Sequence, residues 1–277
     1  MNASLELTGL TKVFDSPSGA FVAVKDVNAG MAEGEFVALL GHSGCGKSTV
    51  LSIIAGLQRA TLGGVVIDGT EVVEPGAERT MVFQTPCLLP WLTARDNVML
   101  AVAQRPGLTR QQQRAVADRY LELVGVADEA HLAPKQLSLG TQQCVSLARA
   151  LATGPRFLLL DEPFSQLDSL TRFELQEILL RVWEETETTV VMVTHDVDEA
   201  LYLADRLILM TDGPEATVGD ALAVPFPRPR VRAAVLAHSD YHRCRRHVID
   251  FLEHHAHQSR PSVLDGVLRR RASMTRR

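Results

Sequence analysis

The sequence predicts an α/β domain whose parallel core sheet is interrupted by an inserted helical block. Three observations predict it. Short apolar blocks such as Phe157–Leu160 and Val190–Val193 have the length of buried strands and alternate with segments of helical spacing. The stretch from about Thr93 to Leu151 is mostly helical in pattern, broken at Pro106–Gly107, Gly125 and Pro134. A glycine-rich turn at Gly41–Ser48 joins a buried strand to a helix, the context of a phosphate-binding loop.

Taken in order, Leu5–Leu10 and Phe21–Val27 alternate as strands, separated by a Ser/Pro/Gly-rich loop at Asp15–Ala20. Glu35–Leu40 is the strand before the turn and Thr49–Leu57 the helix after it. Val65–Asp68 and Thr80–Phe83 are further strands ahead of the helical block. Strands Phe157–Leu160 and Val190–Val193 then alternate with helices near Thr171–Glu185 and Asp196–Ala204, and Arg206–Met210 closes the pattern. The Pro225–Arg230 segment (PFPRPR) reads as a rigid linker, because each Pro fixes φ and lacks a donor.

The chain has 277 residues, 46% apolar and 22% charged, an ordinary globular balance. No apolar run approaches the ~18 residues of a membrane helix. The start, MNASLELTGLTK, lacks a secretory pattern, which predicts a cytoplasmic protein. Cys45, Cys87, Cys144 and Cys244 are far apart with no CxxC pair, so free thiols are expected, without zinc or disulfides. The net charge of −5 hides an asymmetry. Residues 225–277 hold twelve Arg, no Lys and four acids, a net +8, which leaves −13 on residues 1–224. The sequence therefore divides into an acidic body and a basic Arg/His-rich extension. Such an extension is either a solvated end or a surface for an acidic or anionic partner.

The chemistry is concentrated in a few motifs. GHSGCGKS, comprising Gly41, His42, Ser43, Gly44, Cys45, Gly46, Lys47 and Ser48, fits G-x-x-x-x-G-K-[ST]. Its glycines let backbone N–H groups converge on a polyphosphate, and the following helix adds its positive end. Lys47 can reach the outer phosphates, Ser48 can ligate Mg²⁺, and Thr49 can contact a phosphate. FLLLDEP at Phe157–Pro163 ends an apolar strand in two carboxylates. Asp161 is a candidate metal ligand, and Glu162 can polarise a water for in-line attack. His195 ends the strand Val191–Thr194, and Gln84 follows Thr80–Phe83. His195 thus lies where α/β sheets bind ligands and could hydrogen-bond the γ-phosphate or orient the water, and Gln84 could touch Mg²⁺ or that water.

Together these motifs resemble the nucleotide-binding subunits of ATP-binding-cassette (ABC) transporters over roughly residues 5–220. Gly41–Ser48 is similar to the family's Walker A and Val82–Gln84 to its Q-loop. Gln136–Gln143 is similar to its signature, Phe157–Pro163 to Walker B, Ser165–Asp168 to the D-loop, and His195 to the switch histidine. The resemblance implies a P-loop NTPase fold of the ABC type, with an N-terminal antiparallel β subdomain, a parallel core sheet and a helical subdomain at about 87–152. It assigns residues 5–224 to the cassette and 225–277 to an extension. It further implies ATP and Mg²⁺ as cofactors, with Ser48, Gln84 and Asp161 at the metal and Lys47, Glu162 and His195 in catalysis. Adenine would stack on Phe14, with Phe21 as the alternative. Ser138, Gly140 and Asp168 would face nucleotide across a dimer.

One departure stands out. The usual LSGGQ signature reads LSLGT here, with Leu139 for the first Gly, Thr141 after Gly140, and Cys144 in place of an Arg. Either Leu139 is accommodated with slowed turnover, or the chain is a weakly hydrolytic member of a heterodimer. Within the family, GHSGCGKST, Pro86–Val98 and Thr194–Leu201 look most like importers of nitrate, sulfonates and taurine, and Thr217–Arg230 with Tyr241–Leu252 after it looks most like nitrate-type members. Such a subunit implies a second cassette (the same or different), transmembrane permease subunits and, indirectly, a solute-binding protein. It also implies a peripheral place on the cytoplasmic face of the inner membrane and no nucleic acid. Leu88, Leu89 and Trp91 offer either a groove for a permease helix or part of the chain's own core. The rival classes are a soluble non-transport ABC ATPase, a P-loop kinase and a non-hydrolysing regulator.

Overall fold

The computed structural model describes residues 4–17, 19–186 and 188–256. Among the described residues, ten strands form two sheets. The first is antiparallel, built from β1 (Leu5–Ser16), β2 (Gly19–Met31), β4 (Leu62–Ile67) and β5 (Thr70–Glu71) in the order β2-β1-β4-β5. The second contains β3 (Phe36–Leu40), β6 (Arg79–Val82), β7 (Phe157–Asp161), β8 (Thr189–Thr194), β9 (Arg206–Met210) and β10 (Val218–Ala223) in the order β10-β9-β3-β8-β7-β6. All its pairings are parallel except β10 on β9.

Strand parity explains the layering. Along β3, Val37 and Leu39 face one core while Phe36, Ala38 and Leu40 face the other. A pleated strand sends successive side chains to opposite faces, so a sheet covered on both sides reads as an unbroken apolar run. The first core holds α1 (Lys47–Ile54) between the two sheets through Val50, Leu51, Ile53 and Ile54. The second holds α2 (Ala94–Val102), α3 (Arg110–Leu123), α4 (Leu139–Leu151), α5 (Ser169–Thr186) and α6 (Val197–Leu203). Thr93, Thr109 and Ser138 cap α2, α3 and α4, each accepting from a first-turn amide.

Three regions differ from the sequence reading. The Asp15–Ala20 loop is drawn into the hairpin, since β1 runs to Ser16 and β2 begins at Gly19. Strand β10 was not anticipated. Its Gly, Asp and Ala have low strand propensity, and it is an edge strand paired only with β9. The Pro225–Arg230 segment is more than a spacer. Phe226 is buried, the Arg228 guanidinium lies 4.3 Å from the Trp183 ring centroid, and the Arg230 side chain is 1% exposed. Arg230 donates to Tyr202 O at 2.9 Å and Ala204 O at 2.6 Å, satisfying carbonyls at the end of α6. Beyond it, α7 (Arg232–Leu236) and α8 (Tyr241–Ala256) pack on the same core through Val235, Tyr241, Cys244 and Val248. The more distal part of the basic extension, 257–277, lies outside the described residues. All four cysteines are free, with only Cys87 exposed.

Candidate active site

The site grows from the carboxyl ends of four neighbouring parallel strands. Register places Leu40 of β3 beside Thr194 of β8, Asp161 of β7 beside Val193 of β8, and Val82 of β6 beside Leu160 of β7. The residues that follow these positions are Gly41, His195, Glu162 and, two beyond Val82, Gln84. One edge of the sheet thus gathers the catalytic candidates from distant parts of the chain.

After β3 the chain curls tightly. Gly46 has φ +91°, and a Cβ there would come within 2.4 Å of Val24 Cγ1 on β2, so only glycine fits the turn. The Lys47 side chain is folded into the curl and is 4% exposed. Its ammonium donates to Gly41 O and His42 O, both at 2.8 Å. Burial raises the Cys45 thiol pKa, so it stays protonated, although Lys47 favours the thiolate.

Ser48, in the first turn of α1, donates to Asp161 Oδ1 at 2.8 Å. Burial raises the Asp161 pKa, the Ser48 bond opposes this, and Glu162 next to it raises it further. A hydroxyl and a half-buried carboxylate in contact form a hard-oxygen pair of the kind that binds a small divalent cation beside phosphate. Among the described residues, no cluster of three or more His, Cys, Asp or Glu could hold a metal by itself.

Glu162 has φ +46°, uncommon for a residue with a Cβ. Its N–H donates to Val193 O at 3.0 Å, and its carbonyl accepts from Ser165 Oγ at 3.0 Å. Glu162 Oε2 lies 3.2 Å from His195 Nδ1. Thr194 and Asp196 frame His195: Asp196 N–H donates to Thr194 Oγ1, and Asp196 caps α6 by accepting from Asp198 and Glu199 N–H.

The other sequence candidates sit differently. Gln84 reaches neither Ser48 nor Asp161 by hydrogen bond; its Nε2 donates to Ser165 Oγ at 2.9 Å. The sequence places Ser165 only as the start of the D-loop stretch; in the structure it links Gln84 to the Glu162 backbone. Asp168 caps α5, accepting from Leu170 and Thr171 N–H; the Thr171 hydroxyl, and then these N–H groups, lower its pKa. Phe14 and Phe21 are cross-strand partners, 36% and 46% exposed, so both aromatic candidates share one place.

Ser138 caps α4, accepting from Thr141 N at 3.0 Å, and its hydroxyl also shares a 2.9 Å bond with Thr141 Oγ1. Leu139 is the first residue of α4, is 38% exposed, and is absent from the positive-φ residues. Leu139 therefore occupies no glycine-only backbone angle, because the helix start accepts a residue with a Cβ. Gly140 is the position that needs a glycine, since a Cβ would lie 2.4 Å from Thr171 Cγ2 at the start of α5. Neither Ser138 nor Gly140 is hydrogen-bonded to the 41–48 loop of its own chain.

The family profile described as ABC transporter matches residues 24–165, just over half of the chain. The chain belongs to the ABC transporter family. This ABC cassette is 52% identical over 242 residues to the nitrate import ATP-binding protein NrtD of Synechococcus elongatus, covering 87% of this chain and 88% of the relative. It is 45% identical to the bicarbonate transport ATP-binding protein CmpD of a Synechocystis species, covering 90% and 89%. A solved dimeric ATP-binding cassette in a post-hydrolysis state, bound to ADP and Pi, superposes with a TM-score of 0.72 at 34% identity, covering 80% of this chain and all of that one. The ABC cassette is thus an ATP-binding ATPase fold, with the antiparallel sheet, parallel sheet and helices arranged as expected.

Proposed function

We propose that this ABC ATPase energises an importer of a small inorganic anion, with nitrate favoured over bicarbonate and sulfonates by the 52% likeness to NrtD. The observation that carries hydrolysis rather than mere nucleotide binding is the Glu162–His195 pair, 3.2 Å apart, on the same sheet edge as the phosphate loop.

The residues divide the work as follows. Loop amides and Lys47 hold the β- and γ-phosphates, with Lys47 exchanging the Gly41 and His42 carbonyls for phosphate oxygens. Ser48 and Asp161 would hold Mg²⁺, with Gln84 approaching from Ser165, and a bound Mg²⁺ supplies charge neutralisation at the phosphates. Glu162 Oε1, which has no partner among the described residues, accepts the proton of the attacking water. His195 keeps that carboxylate oriented through Nδ1. Phe14 stacks on adenine, with Phe21 beside it. Ser138, Gly140 and Asp168 act on the nucleotide of a second cassette.

The partners are that second cassette, transmembrane permease subunits and, through them, a solute-binding protein. Trp91 is 74% exposed, which supports it as a permease contact, whereas Leu88 packs on the helical core. The protein belongs at the cytoplasmic face of the inner membrane as a peripheral subunit. No helix among the described residues is long and apolar enough to cross a membrane.

Thr141 supports a second reading, a weakly hydrolytic half of a heterodimer. It already engages the Ser138 hydroxyl that would otherwise serve γ-phosphate. The test is to isolate the complex with its permease and measure anion-stimulated ATPase activity. Nitrate stimulates it on this reading; stimulation by bicarbonate or a sulfonate but not nitrate rejects the solute.

A further inference from the structure

Helix α8 touches both sides of the reaction centre. At its N-terminal end, Tyr241 OH donates to Asp198 Oδ1 at 2.7 Å, and Arg245 Nε donates to the same oxygen at 2.7 Å. Asp198 lies in the first turn of α6, three residues after His195, and its N–H donates to the Asp196 cap. Burial and the Asp198 contact push the Tyr241 phenol up to about 12, so it remains a donor. Near its C-terminal end, Leu252 O lies 2.9 Å from His42 Nε2. A carbonyl can only accept, so the His42 proton is on Nε2. His42 is in the phosphate loop, and its own carbonyl accepts from Lys47.

The eleven residue steps from Tyr241 to Leu252 span about 16 Å of helix axis. The helix is stiffened along that length. Tyr241, Cys244 and Val248 are buried on one face, His247 Nε2 lies 2.7 Å from Asp220 Oδ2, and Phe251 packs where a Cβ on Gly219 would come within 2.6 Å of its ring. A rigid rod fixed at two points sets the distance between them.

We propose that α8 is a splint holding the phosphate loop and the His195 segment in register, with His42, Tyr241 and Arg245 as positioning residues for hydrolysis. It rests on Glu162 and His195 being the hydrolytic pair. Contacts that belong to one network depart from additivity by factors of about two to a hundred.

Amide exchange of the full-length, nucleotide-free chain tests the splint without relying on catalysis. Tyr241→Phe with Arg245→Gln frees only the Asp198 end. Exchange at Cys45 and Val50, in and just after the phosphate loop, should nevertheless rise at least about threefold. His42→Ala should likewise speed exchange at Asp198, Glu199 and Ala200, while His42→Gln, which keeps an N–H donor, stays near the parent. In ATPase assays the losses in kcat/KM from the two ends should combine to less than their product. Exchange changes confined to the altered end, or losses that simply multiply, overturn the splint. Undiminished turnover in Glu162→Gln would instead reject the hydrolytic pair and leave the exchange result to decide the splint.

Discussion

Glu162 carries backbone strain that can be weighed. Its φ of +46° is held by the bond from its N–H to Val193 O and by the Ser165 hydroxyl on its carbonyl. A residue with a Cβ pays about 1–2 kcal/mol in the left-handed region. Glu162→Ala removes the carboxylate but keeps the Cβ, whereas Glu162→Gly removes both. Glycine loses more freedom on folding, which costs about 0.4–1 kcal/mol. The balance leaves the Gly variant more stable than the Ala variant by about 0.5–1 kcal/mol. For a chain this long that is a melting-point difference of about 1–4 °C. Calorimetry of the two nucleotide-free variants reads it directly, because both have lost the same carboxylate. A Gly variant melting at or below the Ala variant would refute the claim that the catalytic carboxylate sits on a strained residue.

Three further outcomes follow from other parts of the site and its frame. Burial raises the Asp161 pKa in the folded chain, so its contribution to stability is complete below the ordinary carboxylate range and is lost as pH rises through the folded value. Asp161→Asn should remove that loss, raising the nucleotide-free melting temperature at pH 7 while abolishing the extra stabilisation by Mg²⁺ and ATP; melting curves across pH 4–8 check both. Arg230→Ala strands the Tyr202 and Ala204 carbonyls and should cost about 2–5 kcal/mol in denaturant unfolding, with Arg230→Lys recovering less than half. Leu139→Gly should increase turnover in the assembled transporter and lower the stability of the isolated chain by about 0.5–1 kcal/mol, because Leu139 starts a regular helix; unchanged turnover would show that Leu139 itself does not slow the reaction.

Much of the site was legible because its chemistry is local in sequence. The spacing of Gly41–Ser48 fixes a loop, and the apolar run of β7 must deliver Asp161 and Glu162 at its end. Strand parity in β3 likewise follows from an uninterrupted apolar segment. What escaped depends on contacts between distant segments. The Ser165 bridge from Gln84 to Glu162 exists only once β6 and β7 pair. The docking of Arg228 and Arg230 looked like a linker because charge and proline usually mark solvent, yet the carbonyls ending α6 and the Asp205 carboxylate give both guanidinium groups partners. Helix α8 looked like a basic tail for the same reason. Its buried face is a sparse Tyr241, Cys244 and Val248 set among Arg and His, and its link to His42 runs through a backbone carbonyl that no side-chain pattern reveals.

The account stands most directly on single-turnover phosphate release from bound Mg·ATP in Glu162→Gln. The amide preserves shape and cannot accept the water's proton. Nucleotide should remain bound as tightly as in the parent, while release slows by about 10²–10⁴-fold. Release at the parental rate would contradict the assignment of Glu162 as the group that readies water for attack.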